Sequence, residues 1–600
     1  MSTGARARSR TEGRPVAATR DNPRASRGRT ARAPERSGSQ GRRARERSRP
    51  PAERLELPRI GIWFVAAWAA LLVLAPAAHN GFWGVNGFRS LPGEARLGLI
   101  LAAVAAPALL RLRSRGLAVA IAVTLAIVIA FPLRERVHFL GDTQVRLRAM
   151  AIFNANMISV TLAEWATRLH ANPLDIVIDF LLPIGLRRLG ASLYQGVSLV
   201  SAALAVAFFA GVWRVTGRLG VPSEARIASC AAIACAGTLQ AFAGYAESAG
   251  LLLASAVWWW AEMMAPLDRP RQALKTAGAW LAMVLSHRLG LVMLLPLLWR
   301  ALGPPLAGDR PETRRRLLLL ASAAALLAGA GTMAGGGGRQ LGMDLRDMMA
   351  ALTGIARTVP PGDYLNTVAL VAPLAFLAPW LAGRDAIAGF VRSPLAGPLI
   401  AGSLALLPLM WMVPANSHGL GAHRDWDLAA LGGLTLTLTA IALLGRLPSG
   451  RLRGALACAL PLLVLQAGGW LLVNASERVT MTRAKALLEK PPGLAESHLS
   501  NLHGYLGQRA MDMGAPAFAA PELERSFELN RNPRRALLAA EAWARAGDLP
   551  RARSALARGR AAGPLSPSVG EAARRLEVLI TQLAADSARR ASPAPPGGRR

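Results

Sequence analysis

A chain of 600 residues with 52% hydrophobic content and a mean hydropathy of +0.30 is too apolar to be one large soluble domain, and its apolar residues fall in blocks. The net charge of +34 comes almost wholly from arginine, because lysine occurs only at Lys275, Lys485 and Lys490; that balance reads as the codon usage of a GC-rich bacterial genome, and no nucleic-acid partner is expected. Cys230, Cys235 and Cys458 stand in apolar runs with no companion at metal-ligand spacing, so they read as small core residues outside any disulfide framework.

Residues 1 to about 58 carry sixteen arginines among Ser, Gly, Pro and Ala without a hydrophobic stretch. Such a segment cannot bury enough surface to fold and is expected to be disordered. It reads as a solvated tail that enforces orientation, in preference to a lipid anchor or a nucleic-acid arm. Ahead of Ile60 it is too long and too polar for a typical signal peptide.

Apolar runs follow at about 60–78, 95–110, 117–133, 193–213, 226–246, 248–264, 273–286, 288–299, 317–333, 364–382, 395–413, 428–445 and 454–473. The fold class expected is all-α, a polytopic membrane domain over 59–473 with about eleven to thirteen crossings, several of them short, tilted or paired half-helices. Arginine-rich connections resist translocation. The tail, Arg111 to Arg115, Arg214 to Arg226, Asp268 to Arg271, Arg310 to Arg316, Arg384 to Arg392 and Arg446 to Arg453 fall on one side if every run crosses once. The N-terminus is then cytoplasmic and the C-terminus extracytoplasmic, in a bacterial cytoplasmic membrane.

The stretch 474–590 changes character. Asn532 to Pro564 has small residues at helical spacing, a turn at Gly547 and Asp548, and a closing proline near the ~34 residues of a tetratricopeptide unit. It resembles a degenerate tetratricopeptide repeat within a small extracytoplasmic helical domain; residues 591–600 read as a disordered tail. Within the apolar part, "WWW" at 258–260 is placed at an interface, "GGGG" at 335–338 reads as a flexible turn, and "NAS" at 474–476 matches a glycosylation acceptor only formally.

Four polar motifs interrupt the apolar runs, all on the non-cytoplasmic side of this topology. They are "HFLGDTQVRLR" from His138, with Asp142, Arg146 and Arg148; "GYAES" from Gly244, with Tyr245 and Glu247; "SHRLG", with His287 and Arg288; and "SHGLGAHRDWDL" from Ser417, with His423, Arg424, Asp425 and Asp427. Ionisable side chains at membrane depth cost ~2.5–3.5 kcal/mol each, so their convergence on one leaflet points to a polar cavity.

A long first external segment with an early aspartate, many short apolar helices and a soluble external C-terminal domain are similar to the GT-C integral-membrane glycosyltransferases. The order of Gly141-Asp142, Gly244-Tyr245-Ala246-Glu247, His287 and Arg424-Asp425-Trp426-Asp427-Leu428 resembles a poorly characterised bacterial group of that superfamily with tetratricopeptide tails, over roughly residues 60–560. Thr143 stands where the family commonly has a second acidic residue. The resemblance implies transfer of a hexosyl or pentosyl group from a polyprenyl-phosphate donor to an extracytoplasmic glycan, lipid or protein. Asp142 is the expected general base, with Glu247 and Asp425 completing the catalytic set by orienting the sugar or holding a divalent cation such as Mg2+ or Mn2+. Arg288 and Arg424 are expected at the lipid phosphate, His287 and His423 beside them, and Arg146 and Tyr245 in the substrate-binding set. Asp427, next to the following helix, is expected to act mainly at that helix's N-terminus. Membrane lipids are partners on any reading, and the helical appendage is a place for a protein partner or acceptor. A carrier of an anionic lipid or sugar and a membrane-anchored scaffold stand as the alternatives.

Overall fold

A computed structural model describes residues 58–75, 80–153, 172–334, 361–412, 422–489 and 496–591. The arginine-rich tail before 58, the glycine run at 335–338, most of 334–363, the Ser417 to Gly421 half of the fourth motif and the end after 591 lie outside the described residues.

Among the described residues every regular element is helical and there is no strand. Within the described residues each of the thirteen apolar runs contains helix, not always unbroken. Among the described residues five helices are long and apolar enough to cross a membrane, namely Gly93–Arg111, Leu193–Arg218, Pro373–Val391, Trp426–Leu444 and Ser449–Asn474, and three shorter ones, Arg59–Leu74, Arg115–Ala130 and Ala396–Trp411, are similarly apolar.

Where the expected spans break, the cause is local. The 226–246 run ends as α-helix at Ala234 and resumes as a 3-10 turn at Gly237–Phe242. Gly237 there packs against Leu370 so closely that a β-carbon would overlap it. The 364–382 run divides at Ala372, whose backbone leaves the helical region before Pro373. Within Pro373–Val391, Gly383 at φ 77° interrupts the helix again. His287 divides the 273–299 stretch by adopting an extended backbone, φ −159° and ψ 138°.

Buried polar side chains tie these helices together, since a lone polar group in hydrocarbon has no other partner. Trp68 donates to Gln466 at 3.2 Å, and Gln466 donates to the carbonyls of Ala369 and Gly84. The three-tryptophan run is not an interfacial belt throughout. Trp258 faces outward, but Trp259 and Trp260 are fully buried, because consecutive helix positions point 100° apart.

The C-terminal helices Glu477–Glu489, Glu496–Asp512, Pro516–Leu529, Pro533–Arg545, Leu549–Ala561 and Pro567–Ala591 form a stack with its own apolar core. Asn532 and Asp548 accept from the N–H groups of Arg534 and Arg551 and start two of these helices, while Gly547 at φ 86° makes the turn between them. Val137 and Phe139, from the first long external segment, are buried in this same core. The module is therefore not a free appendage. Arg509 donates to the Arg136 carbonyl at 2.6 Å, Gln144 to Asp512 at 3.1 Å, and Arg148 to Gln508 and Asp512 at 2.7 and 3.0 Å.

Candidate functional site

The segment from 134 to 142 runs beneath the helical module with its backbone groups taken up from several directions. Glu135 N–H donates to the Ala243 carbonyl at 2.8 Å and Arg136 N–H to that of Asn474 at 3.1 Å. The Glu135 carboxylate turns back to accept from Leu140 N–H at 3.1 Å, and Gly141 N–H donates to the Arg424 carbonyl at 3.1 Å. His138 bends the chain with φ 56°, and its ring stacks on Tyr194 at 5.6 Å.

Gly141 is needed where it stands. Its φ is 50°, and a β-carbon there would overlap the Tyr245 hydroxyl and the Glu247 carboxylate. That approach lets Glu247 Oε1 accept from Asp142 N–H. Asp142 itself is exposed, at the start of the helix Thr143–Ile152, and its carboxylate makes no cap hydrogen bond. Across from Glu247 lies the Asp427 carboxyl. Burial, then the charges of Asp427 and Asp142, push the Glu247 carboxyl well above its ordinary range. Tyr245 is buried with its ring 5.9 Å from Trp426; burial and the same carboxylates keep the phenol protonated.

The first, second and fourth motifs thus meet in one place, and the third joins through Arg146. This arginine forms a two-pronged pair with Asp175 at 2.8 and 2.7 Å, the side chains 5% and 1% exposed, and its charge reaches both Glu247 and His287. The fork that was expected at substrate is thus committed to Asp175. Asp179 lies behind, buried beside Asp175, with its carboxyl raised by burial and by that neighbouring charge.

His287 Nδ1 accepts from Leu289 N–H at 3.0 Å, which leaves the proton on Nε2. Burial, then Arg288 and Arg146, bring its pKa down to about 3, so the ring is neutral. Arg288 is half-buried beside it. His423 stands edge-on to Trp83 at 5.2 Å and to Trp470 at 5.8 Å; burial and the charges of Arg483 and Arg424 keep it neutral too.

Two expectations change with this geometry. Asp427, expected to act at a helix end, is the carboxyl that meets Glu247, because one residue along the 3-10 turn Trp426–Ala429 turns it inward. Asp425 is buried one turn earlier. Arg424, expected at a phosphate, gives Nε to the Phe139 carbonyl at 2.7 Å and Nη2 to that of Gly141 at 2.5 Å, with its plane 4.5 Å from the Tyr505 ring. In this arrangement it fastens the turn that presents Asp142.

Sequence reasoning missed Glu135, Asp175 and Tyr505. The chain has only four tyrosines, so the scarcity of the residue was a signal, but nothing local connects Tyr505 to Asp142. Among the described residues no three His, Cys, Asp or Glu side chains are grouped as metal ligands, and Glu247 is engaged with the Asp142 N–H and with Asp427, a poor fit to a divalent cation. No family model, curated protein or solved structure matches the chain.

Proposed function

We propose that the chain is a GT-C-type membrane glycosyltransferase, moving a sugar from a polyprenyl-phosphate donor to an extracytoplasmic acceptor with Asp142 as general base. The observation that carries this reading is the exposed, uncapped Asp142 carboxylate set on a backbone clamped by Gly141, Glu247 and Arg424. A base must be reachable by its substrate and carried on a backbone that holds its place, and the exposed Asp142 on its bonded backbone meets both conditions.

In the reaction the acceptor hydroxyl oxygen attacks the anomeric carbon, its proton passes to Asp142, and the carbon–oxygen bond to the lipid phosphate breaks with its electron pair leaving on the phosphate. Glu247 holds Asp142 from the backbone side by accepting from its N–H. Arg288, next to the neutral His287, is assigned to the leaving phosphate; Tyr245 and Asp427 wall the sugar side. No step is routed through a metal.

The helical module is assigned to the acceptor as a tetratricopeptide-like unit. Support comes from a groove of about 570 Å³ between it and the Asp142-bearing helix, lined by Arg148, Gln508, Asp512, Arg534, Arg535 and Glu541. The arginine-rich connections place this face outside a bacterial cytoplasmic membrane, with the N-terminus inside. Purified protein incubated with a panel of polyprenyl-phosphate sugars and candidate acceptors is expected to release sugar from at least one donor. Absence of turnover across the panel would favour the carrier or the scaffold.

A further inference from the structure

An aspartate that opens a helix ordinarily turns its carboxylate onto the second or third helical N–H. Asp142 does not; its backbone sits at φ −103°, ψ 15°, away from the extended conformation of a capping residue. The N–H groups it could take belong to Gln144 and Val145, and that of Gln144 donates instead to the Tyr505 hydroxyl at 3.1 Å, across 361 residues of sequence. Tyr505 is held in turn. Its ring lies under the Arg424 guanidinium, and the Gln144 side chain donates to Asp512 on the same helix, Glu496–Asp512.

We propose that Tyr505 is a positioning residue for sugar transfer: its hydroxyl fills the helix cap that Asp142 would otherwise fill, and so keeps the Asp142 carboxylate turned toward the acceptor. This rests on the reading of Asp142 as the base. It gives the C-terminal module a part in the chemistry that an acceptor-docking role does not require. Without the phenol oxygen, the freed Gln144 N–H becomes available to the Asp142 carboxylate, the group that ordinarily accepts from it at a helix start. The helix is then capped and the base withdrawn.

The test uses full-length protein and the variant Tyr505→Phe, which keeps the ring against Arg424 and removes only the hydroxyl. Its kcat is expected to fall at least about tenfold, with the donor KM within about twofold of wild type, since a withdrawn base affects the transition state and not donor binding. A second arm needs no turnover: thermal midpoints of wild type, Tyr505→Phe, Asp142→Ala and the double variant. Asp142 can take the vacated N–H in the single variant but not in the double, so the double variant is expected to lose more than the sum of the two single losses.

Additive midpoints overturn the proposal whatever the kinetics. More-than-additive midpoints with unchanged kcat leave the cap exchange standing and overturn the positioning role. A wild-type protein that turns over no donor overturns the transfer reading beneath it, and the midpoints then report on the cap alone.

Discussion

A methyl group at position 141 would meet the Tyr245 hydroxyl and the Glu247 carboxylate, on a backbone whose φ of 50° already disfavours a side chain. Gly141→Ala is therefore expected to cost more than the ~1–2 kcal/mol of the backbone term and to displace Asp142, seen as a lowered thermal midpoint together with lost turnover. Arg146→Ala leaves Asp175 charged at 1% exposure with its partner gone, and the expected loss is about 3–5 kcal/mol by denaturant titration in detergent. Glu135 carries a pH signature. Burial raises its pKa from 4.5 to about 7, so the folded protein holds that proton more tightly than the unfolded chain and loses stability as pH rises between those values. Glu135→Gln keeps an acceptor for Leu140 N–H and removes the titration. Relative to wild type its midpoint should climb from pH 4.5 to about 7 and stay level above that; a flat difference would mean the carboxyl is not buried as described. His138 and His287, held down at about 3, give the opposite slope up to their ordinary 6.5, and they cancel in this difference because both proteins contain them. Glu247 and His287 stand out in the sequence because apolar residues lie hard on both sides of each, and Asp142 because it follows Gly141 at the start of the long external segment. Asp427 was misread because a charge at a helix start has an ordinary explanation, and only the 3-10 turn shows that it faces inward.

Elements were legible wherever an apolar block was long, and lost definition wherever a single residue broke one. Ala372 before Pro373, Gly237 against Leu370 and His287 in extended backbone each divide a run that hydropathy alone reads as continuous. Those breaks put backbone turns inside the apolar part of the chain, which continuous helical spans would not do. The helix Glu496–Asp512 shows the other limit. Its pattern announces an amphipathic helix, but its partner in the first external segment is more than 350 residues away. Because Val137 and Phe139 share the core of that module, truncation after Glu489 is expected to abolish turnover with every acceptor, and not merely to change acceptor preference as the sequence implied. Limited proteolysis should show new cleavage between residues 134 and 148 in the truncated protein. Retained turnover on any acceptor would contradict the shared core.

For the molecule as a whole, the all-helical architecture of the described residues, with apolar helices of membrane length, accords with the composition, while the contacts that join the motifs, such as Asp142 N–H to Glu247, link residues far apart in sequence and cannot be read from either motif alone. The orientation proposed from seven arginine-rich segments makes a direct prediction. A phosphatase fused at the C-terminus should be active in the periplasm and a fluorescent protein fused there should be dark; the reverse would put the acidic cluster on the cytoplasmic face. Whether Asp142 is the base of a sugar transfer is read from turnover of Asp142→Asn against wild type with the donor that the wild type accepts. The substitution preserves size and hydrogen bonding and removes basicity. A fall of ~10²–10⁴-fold is expected, with little change in donor binding. Near-wild-type turnover in a folded Asp142→Asn protein would rule out Asp142 as the base.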